Sequence, residues 1–196
     1  MIGHSPFPRG RMKKHPTIGC CGIQCGLCPR YHTKGPSRCP GCFGKSFHLK
    51  HPSCSIVTCC VKSNGYETCG DCSDLPCKKL ASWDTADSFV THQNTLTNLK
   101  SIAKNGVKSH VHELRKRMRI LEELLHRYDD GRSKSFYCLA ANLLPLEALR
   151  NVMAGCAAYV KSEKTKNKKD AAAAARRLFQ ERALEDNIVL RYRTGK

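Results

Sequence analysis

Cys21-Gly-Ile-Gln-Cys25-Gly-Leu-Cys28-Pro29 opens a run of paired cysteines that continues through Cys39-Pro-Gly-Cys42, Cys54, Cys59-Cys60 and Cys69-Gly-Asp-Cys72 to Cys77. Twelve of the 14 cysteines of the chain lie between Cys20 and Cys77. In a Cys-x-x-Cys unit, two thiolates share one tight turn and can approach the same ion, while backbone N–H groups of the turn point at the sulfurs. Three such units, with further cysteines to complete them, predict a metal-binding domain.

The same stretch is poor in other apolar residues, so it cannot bury enough surface to offset the entropy of the chain. Disulfides or metal ions must therefore stabilise it. The N-terminus has no secretory pattern, because it is basic and lacks an apolar run. We therefore expect a cytoplasmic protein, in which thiols stay reduced and clustered cysteines act as metal ligands.

The formal net charge is +18, and it divides into +9 on each side of Leu80. Zinc bound by four thiolates carries a net charge of about −2, so three such sites would lower the total to roughly +12. A surface this basic favours a polyanionic partner, namely RNA, DNA or a ribonucleoprotein. No apolar stretch approaches 18 residues, so the sequence predicts no transmembrane helix and no membrane partner.

Three regions follow from these patterns: a flexible basic arm at 1–17, a cysteine-rich domain of knuckles and short irregular elements at 18–80, and an all-α domain at 81–196. The apolar stripe of Val107, Val111, Leu114, Met118, Leu121 and Leu125 predicts a helix that ends near Tyr128. A preceding helix is predicted from Asp87 or Ser88 to Asn105, and others at about 135–143, 145–161 and 170–186. Residues 161–169 read as a lysine-rich linker, and 188–193 as a short strand or a frayed tail.

The cysteine string with its companions resembles the cysteine-rich "domain of unknown function 3795" family of archaea and anaerobic bacteria. The similarity covers about residues 19–80 and rests on Cys21 to Pro29, on Cys54-x-Ile, and on Cys69-x-x-Cys72-x-x-x-Pro-Cys77 followed by Leu80. The helical remainder resembles extensions found on some members. The resemblance implies metal binding, without a reaction, through Cys21, Cys25, Cys28, Cys39, Cys42, Cys54, Cys59, Cys69, Cys72 and Cys77. Cys20 and Cys60 are additions to that pattern.

Zinc is the favoured metal, because Cys-x-x-Cys knuckles at irregular separations are typical of closed four-thiolate sites. The alternative is an iron–sulfur cluster, since Cys21-x-x-x-Cys25-x-x-Cys28 has the spacing of three ligands of a [4Fe–4S] cluster. His48 or His51 could complete a zinc site, although a solvent-facing loop is the favoured interpretation of His51. Cys138 and Cys156 are expected to be buried packing residues.

Two functional classes fit the sequence, and it leaves open whether the protein is an enzyme. The first is a non-catalytic zinc-dependent module that binds RNA, DNA or a ribonucleoprotein through the knuckle loops and through Arg115, Lys116 and Arg119 on the predicted helix. The second is an iron–sulfur redox or sulfur-handling enzyme that uses Cys21, Cys25 and Cys28. No residues were assigned a catalytic role, because no nucleotide-binding loop or hydrolase motif is present.

Overall fold

The computed structural model describes residues 13–51, 53–83, 85–162 and 167–194. Within these ranges it is all-helical and contains no β-strand. It divides into two compact units, the first comprising the described residues up to Leu114 with Arg193 and Thr194, and the second comprising Arg115–Tyr192. The predicted order of a cysteine-rich region followed by helices is confirmed. Its stabilisation by metal and its boundaries stay predictions.

Short helical turns make up the cysteine-rich region, and long helices follow it. The turns are 3-10 turns at Cys25–Leu27, Phe47–Leu49 and Cys69–Asp71, and the helix α1 at Ser55–Val57, which continues as a π-helical segment at Thr58–Ser63. The long helices are α2 (Thr95–Asn105), α3 (Val107–Arg127), α4 (Lys134–Leu143), α5 (Leu146–Lys161) and α6 (Lys168–Glu185).

Helix α2 positions the cysteine loops of the first unit. Gly22 has a φ of +89°, and a Cβ at this position would collide with the Thr95 carbonyl oxygen and with Leu99. A Cβ at Gly70 would lie 2.9 Å from the Leu99 carbonyl oxygen. Both glycines directly adjoin cysteines, so the loops of Cys21 and Cys69 rest against one helix.

In the second unit, α5 and α6 pack together through small side chains. Ala171, Ala172, Ala174 and Ala175 of α6 are buried, and this run of alanines allows a close approach to α5. The buried Tyr137 hydroxyl on α4 donates to the carbonyl oxygens of Tyr128 and Ala172, at 3.1 and 3.4 Å. Cys138 and Cys156 are buried here, as the sequence predicts.

The prediction that a helix starts at Asp87 or Ser88 is wrong, because α2 begins only at Thr95. The Asp87 carboxylate instead accepts hydrogen bonds from the backbone of His92 and from the backbone and guanidinium of Arg193. Residues 188–193 form no strand, and their end is held at Asp87, whose amide donates to the Arg193 carbonyl. Because the Asp87 carboxylate already accepts these hydrogen bonds from loop residues, it does not cap a helix.

Two predicted regions lie partly outside the described residues. Of the predicted arm, Lys13–Thr17 are described and pack into the first unit, where the Lys13 amide donates to the Phe43 carbonyl and the Cys42 amide to the Pro16 carbonyl. Residues 163–166 of the predicted linker are not described, and α6 begins after Asn167, whose side chain caps it. None of the described helices has the length and apolar character needed to cross a membrane.

Candidate metal centre

The cysteine pairs Cys25/Cys28 and Cys69/Cys72 adopt the same turn. In each pair a single 3-10 turn separates the cysteines, and the amide of the second donates to the carbonyl of the first, at 3.1 and 3.2 Å. Thr68 caps the second turn, together with Asp71, in a reciprocal capping box. The tight turns that Cys-x-x-Cys spacing requires are therefore present at both places.

The pair Cys39/Cys42 is held by a contact with Pro16, which precedes the first cysteine of the chain, Cys20. The Cys42 amide donates to the Pro16 carbonyl oxygen at 2.8 Å. Gly41 lies between Cys39 and Cys42 in the sequence and has a φ of +85°. A Cβ on Gly41 would collide with the Pro16 carbonyl oxygen. Only a glycine satisfies both conditions without strain, so the sequence of this turn is matched to its contact.

Seven cysteines surround one cavity of about 260 Å³, which we call the larger cavity. These are Cys20, Cys21, Cys25, Cys28, Cys39, Cys42 and Cys54. Most of the remaining wall is apolar or aromatic, with Ile56, Val57 and Trp83 among its residues. The complete Cys21-x-x-x-Cys25-x-x-Cys28 motif therefore faces one space with a largely apolar wall.

The other five cysteines of the region surround a second space of about 30 Å³, the smaller cavity. They are Cys59, Cys60, Cys69, Cys72 and Cys77. The Asn64 side-chain amide donates to the Cys59 carbonyl oxygen at 2.7 Å and to its sulfur at 3.8 Å. The twelve cysteines of the region are thus divided between two spaces in the first unit.

Four neighbouring cysteines, which we call the thiol chain, lie between the two cavities. The Cys42 sulfur donates to the Cys20 sulfur at 3.7 Å, and the Cys20 amide donates to the Cys42 sulfur at 3.4 Å. The Cys60 thiol donates to the Tyr66 carbonyl oxygen at 3.5 Å, and it lies near enough to Cys20 and Cys69 to affect the pKa values of both. Because Cys20 and Cys42 line the larger cavity and Cys60 and Cys69 line the smaller one, the thiol chain connects them.

The cysteines of the thiol chain differ in the direction in which their surroundings shift the pKa. The hydrogen bond from Cys42, the neighbouring Cys60 thiol and the Lys13 ammonium lower the pKa of Cys20 against the opposing effect of burial. The nearby Cys60 thiol likewise lowers the pKa of Cys69. The pKa values of Cys42 and Cys60 are raised, because each interacts with the neighbouring Cys20 and each is buried.

For the three cysteines of the Cys21-x-x-x-Cys25-x-x-Cys28 motif, burial is the main cause of the pKa shift. Burial raises the pKa of Cys21 to about 12, and it also raises the pKa values of Cys25 and Cys28. Metal ligation requires the thiolate, and a bound cation supplies the positive charge that offsets the cost of burying it. These three thiols would therefore ionise as the metal binds and release protons when it does.

Residues 17–82 match the family model described as "Protein of unknown function (DUF3795)". The match covers about a third of the chain and confirms the family that the cysteine pattern predicts for about residues 19–80. No curated protein and no solved structure shows significant similarity to the chain. Residues 17–82, hereafter the DUF3795 region, hold all twelve clustered cysteines.

The ligand assignment within the DUF3795 region stays a prediction. Each of the 14 cysteines is a free thiol. In the described ranges, no three His, Cys, Asp or Glu side chains are grouped closely enough to ligate a single metal ion. Of the two candidate histidines, His48 is exposed, whereas His51 stacks on Phe47 and lines the larger cavity.

Sequence reasoning missed three residues of this site. Cys20 and Cys60 stood outside the family pattern, yet they form the centre of the thiol chain. Lys13 was assigned to a flexible arm, yet it is 6% exposed and its ammonium donates to the Ile18 carbonyl at 2.7 Å. Although burial lowers the pKa of Lys13, the nearby Cys20, Cys42 and Glu67 hold it above its ordinary value. The adjacent pairs Cys20-Cys21 and Cys59-Cys60 are visible in the sequence and could have indicated the two cysteines. No local sequence pattern indicates that Lys13 is buried.

The residues predicted to contact nucleic acid lie on α3. Arg115 and Arg119 are exposed and Lys116 is half-buried, opposite the buried Leu114 and Leu121. The intervening Arg117 serves a structural purpose, because its guanidinium donates to the carbonyl oxygens of Ala141 and Leu144 at 3.0 and 2.7 Å. The exposed pair is thus available to solvent, and its role in binding stays a prediction.

Proposed function

We propose that the protein is a non-catalytic electron carrier that binds a [4Fe–4S] cluster in the larger cavity. The observation that carries this proposal is the cavity itself, with seven cysteines around about 260 Å³. A zinc ion held by four sulfurs at about 2.3 Å leaves no space between them. A cubane cluster contains four irons and four sulfides, so its ligands must surround a space and not a single point. This cavity is many times larger than the roughly 10–15 Å³ that one water molecule needs, so it has room for a group of several atoms.

Cys21, Cys25 and Cys28 are the first three ligands in this proposal. Two further cysteines of the larger cavity, Cys39 and Cys54, are candidates for the fourth position. An available fourth thiolate favours a fully coordinated cluster, which exchanges single electrons, over one with an open iron that binds substrate. Apolar wall residues such as Val57 would limit water and so help to set the potential.

The smaller cavity suits the zinc that the sequence favours. Its volume of about 30 Å³ is of single-ion scale, and five cysteines line it. A zinc ion there would have a structural role, since closed four-thiolate sites contribute directly to folding. One chain would then contain both metals, and the cysteines of the smaller cavity would have to move closer together to ligate the zinc.

Metal analysis of anaerobically purified protein tests the proposal. We expect about four irons and four acid-labile sulfides per chain, with a brown colour and a paramagnetic signal after one-electron reduction. Cys25→Ser should lose the iron. Cys156→Ser, which changes a buried thiol of the second unit, is the matched control and should keep it. Colourless protein with zinc alone would refute the cluster and restore the zinc interpretation for both cavities.

Cys39→Ser and Cys54→Ser identify the fourth ligand. The variant that loses a ligand should show an altered electron paramagnetic resonance spectrum and a shifted potential, because an oxygen or a solvent ligand replaces the thiolate. The other variant should keep the spectrum of the parent protein. Unchanged spectra in both would show that neither residue is the ligand.

A second candidate function, binding of RNA or DNA, has the exposed pair Arg115 and Arg119 in its favour. They are one helical turn apart, on the side of α3 that is opposite the buried stripe. The strong positive charge of the chain supports phosphate contacts with little sequence preference.

A salt titration of affinity for structured RNA and duplex DNA tests this candidate. Arg115→Glu with Arg119→Glu should weaken binding and reduce the salt dependence, because fewer counterions are released. The helix content should stay unchanged, since both side chains are exposed. Affinity that is absent at low salt would refute nucleic-acid binding.

A further inference from the structure

The charge around the larger cavity is almost entirely of one sign. Residues 1–66 supply all seven of its cysteines, and they include ten Lys or Arg residues and no Asp or Glu. The rest of the wall lies in the segment 83–92. There the Asp87 carboxylate is paired with the Arg193 guanidinium at 3.2 Å, and Asp84 lies outside the described residues. The surface next to this cavity therefore favours an anionic partner.

Two exposed arginines of the loop 29–38 are held in place by aromatic rings. The guanidinium carbon of Arg30 lies 5.1 Å from the centre of the Phe89 ring. That of Arg38 lies 5.0 Å from the centre of the Tyr31 ring, and the Arg38 Nε donates to the Tyr31 carbonyl oxygen at 2.9 Å. A guanidinium that is already positioned loses less conformational entropy on binding, and its planar fork matches the two oxygens of a carboxylate.

The wall of the larger cavity reaches the protein surface beside these arginines. Phe89 lines the cavity and is 47% exposed, so this part of the wall is also molecular surface. Leu49 is 70% exposed and lies in the turn between Phe47 and His51, both of which line the cavity. Two apolar side chains are thus exposed at the cavity wall, together with a basic loop. We call the loop 29–38, Leu49 and Phe89 the basic patch.

This combination of side chains favours a protein partner over a nucleic acid. Protein interfaces have an apolar centre that is enriched in arginine and aromatic residues, with polar residues at the periphery. Phosphate contacts come from charged and polar groups, to which an exposed leucine such as Leu49 adds nothing. Because carboxylates are the anionic side chains of proteins, the matching surface is an acidic one.

We propose that the basic patch is the docking surface for an acidic electron-transfer protein that exchanges one electron with the cluster. The inference rests on the proposed function, because the cluster in the larger cavity is the group that accepts or donates the electron. One electron passes between the two metal centres, so one is reduced as the other is oxidised, and no bond forms or breaks. Interfaces of electron-transfer complexes are small, with less than about 1,200 Å² of buried surface, and opposite charges make their association fast.

The test uses a plant-type ferredoxin, a small acidic protein that carries one electron, as the probe. Reduced ferredoxin is mixed in a stopped-flow instrument with anaerobically purified protein of known iron and sulfide content. The affinity for oxidised ferredoxin is measured separately by calorimetry. We expect both the second-order rate and the affinity to fall steeply as the salt concentration rises. Binding that is absent at low salt, or that ignores salt, would overturn the docking surface.

Arg30→Glu with Lys34→Glu tests where the charge acts. Both side chains are exposed, and the variant keeps Arg38, whose guanidinium binds the loop. At low salt the rate and the affinity should fall by roughly 10-fold or more, and the difference should disappear at high salt. Arg115→Glu with Arg119→Glu is the matched control, because it changes the net charge equally in the second unit, and it should have a far smaller effect. Equal losses in the two variants would show that the basic patch is not the contact.

Leu49→Ser separates a protein partner from a nucleic acid. It should weaken ferredoxin binding severalfold and leave any affinity for structured RNA unchanged, whereas Leu184→Ser, at a 77% exposed position of α6, should change neither. Unchanged ferredoxin affinity in Leu49→Ser, or tighter binding of structured RNA than of ferredoxin through the basic patch, would overturn the protein partner. Protein without iron would refute the proposed function and the docking surface together. Iron-loaded protein that dithionite reduces but ferredoxin does not bind would refute the docking surface alone.

Discussion

Gly22→Ala is expected to destabilise the first unit strongly, because it affects both the backbone and a packing contact. The φ of +89° costs a residue with a Cβ about 1–2 kcal/mol. The added methyl group also meets the Thr95 carbonyl oxygen and Leu99, and overpacking of this kind costs about 1–3 kcal/mol. The free energy of unfolding should therefore fall by about 2–5 kcal/mol.

Gly35→Ala separates the two contributions. Gly35 has a φ of +79°, yet a Cβ there would have no atom within 4 Å, so only the backbone cost of about 1–2 kcal/mol applies. Urea titrations followed by Trp83 fluorescence measure both variants, since the sole tryptophan of the chain lines the larger cavity and stacks on His92. If Gly22→Ala were no less stable than Gly35→Ala, the loop of Cys21 would not rest on α2 as described.

Two further changes test the contacts that close each unit. Although burial alone would raise the pKa of Asp87, hydrogen bonds from the Arg193 backbone and guanidinium outweigh it, lower that pKa and stabilise the ionised form. Asp87→Asn should therefore cost about 2 kcal/mol at pH 7. This stability is present above the ordinary pKa of 3.8 and is lost as the pH falls below it, so urea titrations of the parent and variant should converge in acid; a constant difference would contradict the assignment. Tyr137→Phe should lower the free energy of unfolding by about 1 kcal/mol, since the Tyr128 and Ala172 carbonyl oxygens lose a donor, and an unchanged urea midpoint would show that these bonds contribute nothing.

The long helices could be predicted because their apolar spacing is regular. Of the predicted stripe, Val111, Leu114 and Leu121 are buried, whereas Val107, Met118 and Leu125 are half-buried. Helix α3 ends at Arg127, one residue before the predicted end. The start of α2 could not be predicted in this way. Asp87 is a good capping residue in isolation, but its carboxylate is used by Arg193, which is distant in sequence.

Some features of the candidate site follow from the local sequence, and others depend on contacts between residues that are distant in the sequence. Cys-x-x-Cys spacing is local, so the tight turns at Cys25 and Cys69 follow from it. The pairing of Cys20 with Cys42 depends on contacts across 22 residues, and the burial of Lys13 depends on the fold of the whole unit. Neither has a local pattern. The similarity to the DUF3795 family could indicate which cysteines matter, but not which cavity each one lines.

The bond between Asp87 and Arg193 has a consequence for how the chain is made. These residues are 106 positions apart, and both belong to the first unit, while nearly all of the chain between Leu114 and Arg193 belongs to the second. At about 5–20 residues per second, a ribosome adds Arg193 roughly 5–20 s after Asp87. All twelve clustered cysteines are therefore synthesised before the first unit can close. Metal delivered during translation would meet the cysteines of a unit that still lacks its final contact.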